Sequence, residues 1–324
     1  MKLDSLYHGG IMVNYRCTAA CRHCLYACSP TRRPAYLGAE KAREICGLLI
    51  KGRIGSVHIG GGEPFLDFEG LLGLIRELRR AGIALDYIET NAFWASADSA
   101  REKIRVLKNE GIEALCISAD PFHAEYVPWE LPLLLARLCG EQGLGYFLWK
   151  QEFVRALSGL DKSKPHDRAG MERSLGKNYI RDTASAYGIR PGGRAVNIEE
   201  EYVPRKPASE LLDSKPCHGL LSSGHFHVDP DAFFIPPGCT GLRLPLAEII
   251  SGIPAGKYPV FEALFKNGTA GLLEFAKGRG FIPDEKGYRS TCNFCFHLRR
   301  FFAQSGEYAE LDPEHYEESL KFYS

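Results

Sequence analysis

Residues 14–24 read Asn-Tyr-Arg-Cys-Thr-Ala-Ala-Cys-Arg-His-Cys and are the most informative segment of the chain. Its three cysteines, Cys17, Cys21 and Cys24, follow a Cys-x3-Cys-x2-Cys spacing, so their thiolates can converge on one metal centre. A cubane iron–sulfur cluster normally takes four cysteine ligands. The local run therefore leaves one metal position without a protein ligand unless a distant residue supplies it. By spacing alone, the run predicts an incomplete site that is compatible with iron or zinc.

The composition excludes several classes of protein. The 324 residues include 40 basic and 40 acidic side chains, and this balance gives no indication of nucleic-acid binding. The sequence has neither a signal-peptide pattern at its start nor an apolar run near the roughly 18 residues of a membrane span. Eleven cysteines in such a chain favour metal ligation over a disulfide framework, which predicts a reducing cytoplasm.

Strand and helix signals alternate from residue 10 to about residue 200. The helical stretch that begins at Phe68 repeats apolar residues at one face, as an amphipathic helix does. Such alternation favours βαβ units around a parallel sheet, and six repeats are too few for a closed eight-fold barrel. The predicted strands are residues 11–15, 55–59, 84–89, 114–118, 146–151 and 194–198.

Polar and glycine residues follow several of these strands, where α/β barrels carry their functional side chains. Gly61, Gly62 and Glu63 come after the second strand, and the glycines would let the backbone approach a ligand closely. A tight turn with a carboxylate at a helix start explains this segment equally well when it is taken alone. The segments 89–92 and 118–123 end the third and fourth strands, where ordinary turns also use such residues.

Together, the cysteine run, the Gly-Gly-Glu turn and the strand alternation resemble the radical S-adenosylmethionine (radical SAM) enzymes. In that family the amino and carboxylate groups of SAM chelate the fourth iron of a [4Fe–4S] cluster. Electron donation from the cluster cleaves SAM, and the resulting 5′-deoxyadenosyl radical abstracts hydrogen from a substrate. The resemblance implies an α/β fold with an open, partial (β/α)6 TIM-like barrel over residues 1–203 and an external electron donor such as flavodoxin or ferredoxin.

The resemblance also implies roles for individual residues. Glu63 would bind the amino group of SAM, and His23 occupies a position where the family carries an aromatic ring near the adenine. Asn91 lies in Thr90-Asn91-Ala92, which is similar to the family's Thr-Asn-Gly segment, and Ser118 and Asp120 would lie near the ribose. The implied SAM-binding residues are His23, Gly61, Gly62, Glu63, Asn91, Ser118 and Asp120, and the implied cluster ligands are Cys17, Cys21 and Cys24.

The sequence changes character towards its second half, and a proline-containing stretch from residue 204 to 207 predicts a linker. Residues 204–324 are predicted to form a smaller α+β domain. Its four cysteines match the ligand number of a [4Fe–4S] cluster and equally that of structural zinc. The apolar residues on both sides of Asp229-Pro230-Asp231 predict a β-hairpin within residues 227–239. The four cysteines are Cys217, Cys239, Cys292 and Cys295.

This hairpin-then-cysteine arrangement resembles the SPASM domain of radical SAM maturases and its shortened twitch form. SPASM domains carry seven cysteines and two clusters, so four cysteines fit the one-cluster twitch form better. The resemblance implies a second, auxiliary [4Fe–4S] cluster, with zinc as the alternative. A lone histidine is more often structural, so the histidines are second choices as ligands: His218, His225, His227 and His297.

The remaining cysteines have simpler interpretations. Cys46, Cys116 and Cys139 fall in apolar surroundings and are predicted to be small buried hydrophobic side chains. Cys28 follows Cys24 by four residues on the same loop. It is interpreted as a spare ligand, a thiol near the site or a packing residue.

A closer resemblance, to the radical SAM peptide epimerases, rests on residues 25–31, 61–67, 91–94 and 117–126. Those enzymes remove an α-hydrogen from a residue of a ribosomal peptide and return one from a cysteine thiol. Cys28 is the candidate catalytic hydrogen donor by its loop position, and a C-terminal cysteine is the alternative. Only sixteen residues precede Cys17, so no winged-helix-like leader-binding region is expected there.

Three functions therefore stand. The favoured one is a radical SAM enzyme that acts on a ribosomally made peptide or protein as a maturase, with epimerisation as one reaction it could catalyse. The second is the same radical chemistry on a small metabolite. The third is a non-catalytic iron–sulfur or zinc scaffold whose barrel only binds a partner.

Overall fold

The computed structural model describes residues 6, 8–221 and 224–321, without the side chains of His218 and Leu221. Its centre is one eight-stranded sheet with the strand order β5-β4-β3-β2-β1-β6-β7-β8. The strands are β1 (Gly9–Met12), β2 (Ser56–Gly60), β3 (Ala84–Thr90), β4 (Ala114–Ile117), β5 (Gly145–Leu148), β6 (Phe226–Val228), β7 (Phe233–Ile235) and β8 (Leu244–Pro245).

Strands β1 to β6 pair in parallel, whereas β7 and β8 are antiparallel to their neighbours. In the part of the chain that is described, β5 and β8 form the two edges, so the sheet is open. The predicted α/β fold with a partial, TIM-like barrel is thereby confirmed.

Helices connect and cover the strands. The α-helices are α1 (Ala39–Lys51), α2 (Phe68–Arg80), α3 (Ala97–Asn109), α4 (Pro121–Ala124), α5 (Glu130–Gln142), α6 (Glu152–Leu157), α7 (Arg168–Leu175), α8 (Tyr179–Tyr187), α9 (His218–Leu221), α10 (Leu246–Ser251), α11 (Pro259–Lys277), α12 (Thr291–Ala303) and α13 (Pro313–Lys321). Three 3₁₀ helices span Pro64–Leu66, Gly193–Glu201 and Ala208–Leu211. Within the described ranges, none of these helices combines the length and the apolar character that crossing a bilayer requires.

Helix α2 shows how the local sequence sets these elements. Its apolar positions recur at helical spacing, and the face with Leu71, Ile75 and Leu78 is buried in the core. The Asp67 carboxylate accepts a hydrogen bond from the backbone N–H of Gly70 and so caps the helix start. Arg79 and Arg80 lie in the last turn, where a positive charge is favourable.

The sixth strand does not lie where it was predicted. Residues 194–198 belong to the buried 3₁₀ helix Gly193–Glu201, so that prediction is wrong. The sixth parallel strand is β6, which pairs with β1 in the register Gly9 opposite Phe226. The physical reason is that the Arg194 backbone bonds the cysteine loop, where its N–H donates to the Cys24 carbonyl at 3.0 Å, instead of a neighbouring strand.

The C-terminal part joins the same sheet. Strands β6 and β7 form an antiparallel hairpin, which confirms the hairpin predicted within residues 227–239. The Asp229 carboxylate accepts the N–H groups of Asp231 and Phe233 and so closes the turn. The division into domains 1–203 and 204–324 stays a prediction, since the sheet runs across it.

Candidate active site

Cys17, Cys21 and Cys24 lie on the loop after β1 and line a cavity of about 210 Å³ above the carboxyl ends of the strands. Most of the residues predicted to bind the cluster or SAM meet at this cavity. Those that line it are Cys17, Cys21, His23, Cys24, Cys28, Gly61, Gly62, Glu63, Asn91 and Ser118.

Backbone hydrogen bonds fix the shape of the cysteine loop. The Cys17 N–H donates to the Ser29 carbonyl at 3.1 Å, and the Cys24 N–H donates to the Cys21 carbonyl at 3.1 Å. Ala27 adopts a positive φ of 52°, which L-residues rarely adopt, and this bends the loop back on itself. Backbone hydrogen bonds therefore shape this loop in the protein without a ligand.

The three thiols differ in their electrostatics. The Cys28 thiol donates a hydrogen bond to Cys24, and this bond, helped by the Arg194 charge, holds the pKa of Cys24 below its usual value. Burial raises the pKa of Cys17, and the charge of Glu63 raises it further. Burial also raises the pKa of Cys21, although His123 opposes the shift. Cys24 is thus the thiol most ready to ligate a metal, because metals bind the thiolate.

The glycines of the Gly61-Gly62 turn pack against the base of the cysteine loop. A Cβ on Gly62 would lie 1.9 Å from the carbonyl oxygen of Arg16, and the Gly62 N–H donates to the Asn14 carbonyl at 2.8 Å. Gly61 adopts a φ of 139°, which favours glycine. The turn therefore needs glycine in order to join β2 to the loop after β1.

The Glu63 carboxylate lies in the wall of the cavity and is 1% exposed. It accepts hydrogen bonds from the Asn91 N–H at 2.8 Å, the Thr90 hydroxyl at 2.9 Å and the Phe65 N–H at 3.1 Å. Burial raises the pKa of Glu63 to about 7, although these donors oppose the shift. The carboxylate is thus fixed in place beside the thiols.

Asn91 joins the end of β3 to the cysteine loop. Its side-chain amide donates to the Thr18 hydroxyl at 3.0 Å and to the Cys17 sulfur at 3.6 Å. The next residue, Ala92, has a φ of 63°, in the left-handed region that favours glycine. The Thr-Asn-Gly segment that residues 90–92 resemble has glycine at this position, and this backbone conformation explains why. This chain adopts the same conformation with alanine.

Asp120 is the predicted site residue that the structure leaves outside the lining of the cavity. It caps the start of α4, and its carboxylate accepts hydrogen bonds from the His123 ring at 2.5 Å and the Tyr187 hydroxyl at 3.0 Å. His23 packs against the Tyr187 ring, and burial lowers the pKa of His23 to about 4, so it is neutral. A contact of Asp120 with SAM stays a prediction, whereas its present role is to hold the rings behind the cavity.

Sequence reasoning missed several residues of the cavity wall. Tyr187, the last residue of α8, and Trp149, the residue after β5, line the cavity, yet neither local pattern gives a hint of a site. His123 interacts with the thiol of Cys21, and its position two residues after Pro121 in a quoted strand-end segment was the available signal. Glu89 also lines the cavity and could have been found from its place directly before Thr90.

The four C-terminal cysteines lie close to one another. Cys217 precedes α9, Cys239 follows β7, and Cys292 and Cys295 occupy one face of α12. The Cys239 thiol donates to Cys217, which lowers the pKa of Cys217, and Cys217 in turn raises the pKa values of Cys292 and Cys295 beyond the effect of burial. Gly219 leaves room between the first two, since a Cβ there would lie 3.0 Å from the Cys239 sulfur.

The histidines considered as alternative ligands differ in position. His297 packs on Tyr288 and Phe296, and the rings of His225 and His227 contact the ring of His58. The side chain of His218 lies outside the described residues. Cys46, Cys116 and Cys139 are buried as predicted, and Cys116 also lines the cavity.

Comparison with known proteins identifies the first part of the chain. Residues 11–143 match the model of the Radical SAM superfamily. The chain contains a radical SAM domain. A stretch of 126 residues is 30% identical to YydG of Bacillus subtilis (strain 168), a protein named for peptide biosynthesis, and covers 38% of this chain and 39% of YydG. The match thus spans about two fifths of that relative.

Three solved structures overlap with more of the chain. Native anSMEcpe with bound AdoMet is 14% identical with a TM-score of 0.43, over 97% of this chain and 95% of that chain. Streptococcus suis SuiB bound to the precursor peptide SuiA is 14% identical with a TM-score of 0.38, over 90% and 76%. BtrN in complex with AdoMet and 2-DOIA is 15% identical with a TM-score of 0.39, over 83% and 90%.

A radical SAM domain implies a [4Fe–4S] cluster, and the residues at the cavity fit one. Three thiols on one loop, one of them with a lowered pKa, supply the soft ligands that iron–sulfur clusters take. Two backbone N–H groups already point at sulfur, from Ala19 to Cys17 at 3.4 Å and from Cys28 to Cys24 at 3.4 Å. Such bonds stabilise thiolate ligands and tune a cluster.

Proposed function

We propose that this chain is a radical SAM enzyme that modifies a ribosomally made peptide or protein. The observation that carries the proposal is the meeting of Cys17, Cys21 and Cys24 with the fixed Glu63 carboxylate at one cavity. The peptide class is supported by the likeness of the radical SAM domain to YydG, whose name assigns it to peptide biosynthesis. The three-cysteine set leaves one iron for SAM, and the cavity gives SAM a place beside it.

When bound, the cluster and SAM supply a one-electron cleavage of SAM and a carbon radical that abstracts hydrogen. The residues of the protein would hold the cluster and orient SAM. Cys17, Cys21 and Cys24 would ligate the cluster, and Asn91 donates towards the Cys17 sulfur. Glu63, fixed by its three donors, would accept hydrogen bonds from the ammonium group of SAM. His23 and Ser118, which line the cavity, would contact the nucleoside.

Cys28 is our candidate for the hydrogen donor of an epimerase reaction. It lines the cavity, its thiol lies beside Cys24, and the residue is 2% exposed. Burial raises the pKa of Cys28, which keeps the S–H bond intact at neutral pH. After loss of an α-hydrogen atom, the peptide would take the hydrogen atom of this S–H bond on the opposite face. The sulfur radical left behind needs one electron, which an external donor such as flavodoxin or ferredoxin would supply, and one proton, which solvent would supply.

At the auxiliary site, the protein itself would supply all four metal ligands. Cys217, Cys239, Cys292 and Cys295 would ligate a second [4Fe–4S] cluster, with zinc as the alternative. The Arg299 guanidinium supports this site, because it donates to the Cys239 carbonyl at 3.3 Å and to the Thr240 carbonyl at 2.8 Å. We assign the protein to a reducing cytoplasm, since all eleven cysteines are unpaired in the described chain.

The first test is SAM cleavage by protein that has been reconstituted anaerobically with iron and sulfide and then given a strong reductant. We expect 5′-deoxyadenosine from the wild type and none from Cys17→Ala. Well-loaded wild-type protein that yields no 5′-deoxyadenosine, with or without peptide, would favour the scaffold function instead.

The second test addresses the substrate and Cys28. A short peptide encoded next to the gene is incubated with the enzyme in D2O, and mass spectrometry measures deuterium at its α-carbons. We expect a gain of one deuterium with wild type and with Cys46→Ala, a buried cysteine away from the cavity. Cys28→Ala should cleave SAM but incorporate none. Incorporation by Cys28→Ala would assign the donor to another thiol, and cleavage without any peptide change would favour a small metabolite.

A further inference from the structure

Four histidines lie together on one face of the sheet, beneath the cavity. We call His8, His58, His225 and His227 the histidine cluster. His8 precedes β1, His58 lies within β2, and His225 and His227 lie before and within β6. One ring nitrogen from each of His8, His58 and His225 lies within 4.8 Å of the other two. The pairing of β6 with β1 is what brings these residues into one group.

The central strand leaves space for the rings. Gly10 of β1 pairs with His58 on one side and His227 on the other. A Cβ on Gly10 would lie 2.3 Å from Nε2 of His58 and 2.6 Å from Cδ2 of His227. Any side chain at this position would displace the rings, so the cluster depends on glycine here.

His58 has one nitrogen engaged and one free. Its side chain is fully buried, and its Nε2 lies 3.1 Å from Nε2 of His227, whose Nδ1 lies 2.6 Å from the Tyr26 hydroxyl. Within the described residues, Nδ1 of His58 has no hydrogen-bond partner. A proton on Nε2 of His58, donated to His227, leaves Nδ1 with a lone pair. A buried acceptor without a partner is costly, and a cation would satisfy it.

The other members of the cluster have the surroundings of metal ligands. Nδ1 of His8 lies 3.5 Å from Oδ2 of Asp86, a buried oxygen that has no hydrogen-bond partner among the described residues. Carboxylates in this position orient metal-bound imidazoles. His225 is exposed and offers an ion a path from solvent. Burial lowers the pKa values of His58 and His225, and nearby histidines lower them further, so both rings are neutral at pH 7.

We propose that His8, His58 and His225 form a binding site for one divalent transition-metal ion of the zinc type, separate from both cysteine sites. Imidazole suits zinc and its neighbours and does not suit magnesium or calcium. Zinc–nitrogen bonds of about 2.1 Å place two ligands of a tetrahedral ion roughly 3.4 Å apart, so nitrogens that lie within 4.8 Å of one another approach by up to about 1.4 Å when an ion binds. The rings of His58 and His225 are stacked with their planes 2° apart, so one of them must also rotate to aim its nitrogen at the same ion. The fourth position is left to water, because His8 and His225 both reach solvent.

The test uses protein with both cysteine sites filled by iron–sulfur clusters under anaerobic conditions. One equivalent of Zn²⁺ is added, free metal is removed by desalting, and zinc is counted by mass spectrometry. We expect about one zinc per chain for wild type and for His166→Ala, whose histidine lies near α7 and outside the cluster. For His225→Ala, an exposed position that should not affect folding, we expect at least a tenfold loss of zinc affinity.

X-ray absorption at the zinc edge supplies the second readout. Imidazole nitrogen at about 2.0–2.1 Å without sulfur is the expected shell. Sulfur at about 2.3 Å would show zinc at a cysteine site and would overturn the proposal. Equal zinc retention by His225→Ala, or no retention by wild type, would overturn it as well. None of these results depends on SAM cleavage, so the zinc-site proposal can fail while the proposed function holds, and the reverse.

Discussion

Arg194 Nε donates a hydrogen bond of 3.1 Å to the carbonyl oxygen of Cys21, although the two residues are 173 positions apart in the chain. The same guanidinium donates to the carbonyl of Cys28, and the Arg194 N–H donates to the carbonyl of Cys24. Arg194 is 1% exposed. The segment that pattern alone assigns to a strand is therefore a brace for the cysteine loop.

Arg194→Met should loosen this loop. The substitution leaves the carbonyls of Cys21 and Cys28 without these donors and removes the charge that lowers the pKa of Cys24. We expect the free energy of unfolding of the iron-free protein to fall by roughly 2–4 kcal/mol, measured by urea titration, with fewer irons retained after reconstitution. Arg137→Met, at an exposed position of α5, should change stability by less than about 0.5 kcal/mol. Similar losses in both variants would argue against the brace.

Gly62→Ala should disturb the joint between β2 and the cysteine loop. The added methyl group would lie 1.9 Å from the backbone oxygen of Arg16, which has no freedom to move aside. We expect a loss of about 2 kcal/mol or more in thermal or chemical unfolding, together with poor iron loading. In contrast, Gly47→Ala in α1 meets no atom within 4 Å and should stabilise the protein by roughly 0.5–1 kcal/mol. Gly62→Ala with wild-type stability would contradict the packing seen here.

Glu63 should make the stability of the iron-free protein depend on pH. Burial raises its pKa from 4.5 to about 7, so between these values the folded chain keeps a proton that the unfolded chain releases. The free energy of unfolding should therefore fall as pH rises from about 4.5 to 7 and level off above, with a Glu63 contribution of about 3 kcal/mol.

Glu63→Gln cannot titrate and should remove this component of the pH profile, whereas Glu69→Gln, at an exposed position of α2, should keep it. Urea unfolding at a series of pH values measures the profile of each variant and of wild type. Because the Glu63 charge also raises the pKa of Glu89, the difference between Glu63→Gln and wild type contains both effects. A Glu63→Gln profile parallel to that of wild type would refute the assigned titration.

The two cysteine sites should lose metal independently. Cys239→Ala should lower the iron content from about eight to about four per chain while SAM cleavage persists, because the three-cysteine loop is intact. Cys17→Ala should abolish SAM cleavage, and the buried Cys46→Ala should retain both iron and cleavage. Iron and zinc are counted together, and four irons with one zinc in wild type would replace the auxiliary cluster by a zinc site.

Local pattern predicted the elements that depend on near neighbours. Strands β2 to β5 and α2 lie close to their predicted ranges, since residues such as Leu71 and Leu78 show their burial in the sequence itself. The first strand runs from Gly9 to Met12 and shares only residues 11 and 12 with the predicted range 11–15. Residues 194–198 have the sequence pattern of a buried strand, because Ala195, Val196 and Ile198 are apolar, and all three are buried. The hydrogen bonds that give them a 3₁₀ conformation come from a loop far away in sequence, which no local pattern contains.

The same distinction holds at the site. Cys17, Glu63 and Asn91 could be found because each follows a strand, and the carboxyl ends of parallel strands meet at one edge. The orientation of Asp120 could not be predicted, since its carboxylate accepts hydrogen bonds from the first turn of α4 and from the Tyr187 hydroxyl. The histidine cluster could not be predicted for a similar reason, because nothing in the sequence indicates that His58 and His225 are neighbours.

The pairing of β1 with β6 has a consequence for how the protein is made. Gly9 meets Phe226 only after more than 200 intervening residues have been synthesised. Until then one edge of β1, with the apolar Ile11 and Met12, has no partner and can pair with other chains. Closing so long a loop is slow, which prolongs this exposure. About seven tenths of the chain is therefore synthesised before the first strand can gain this partner.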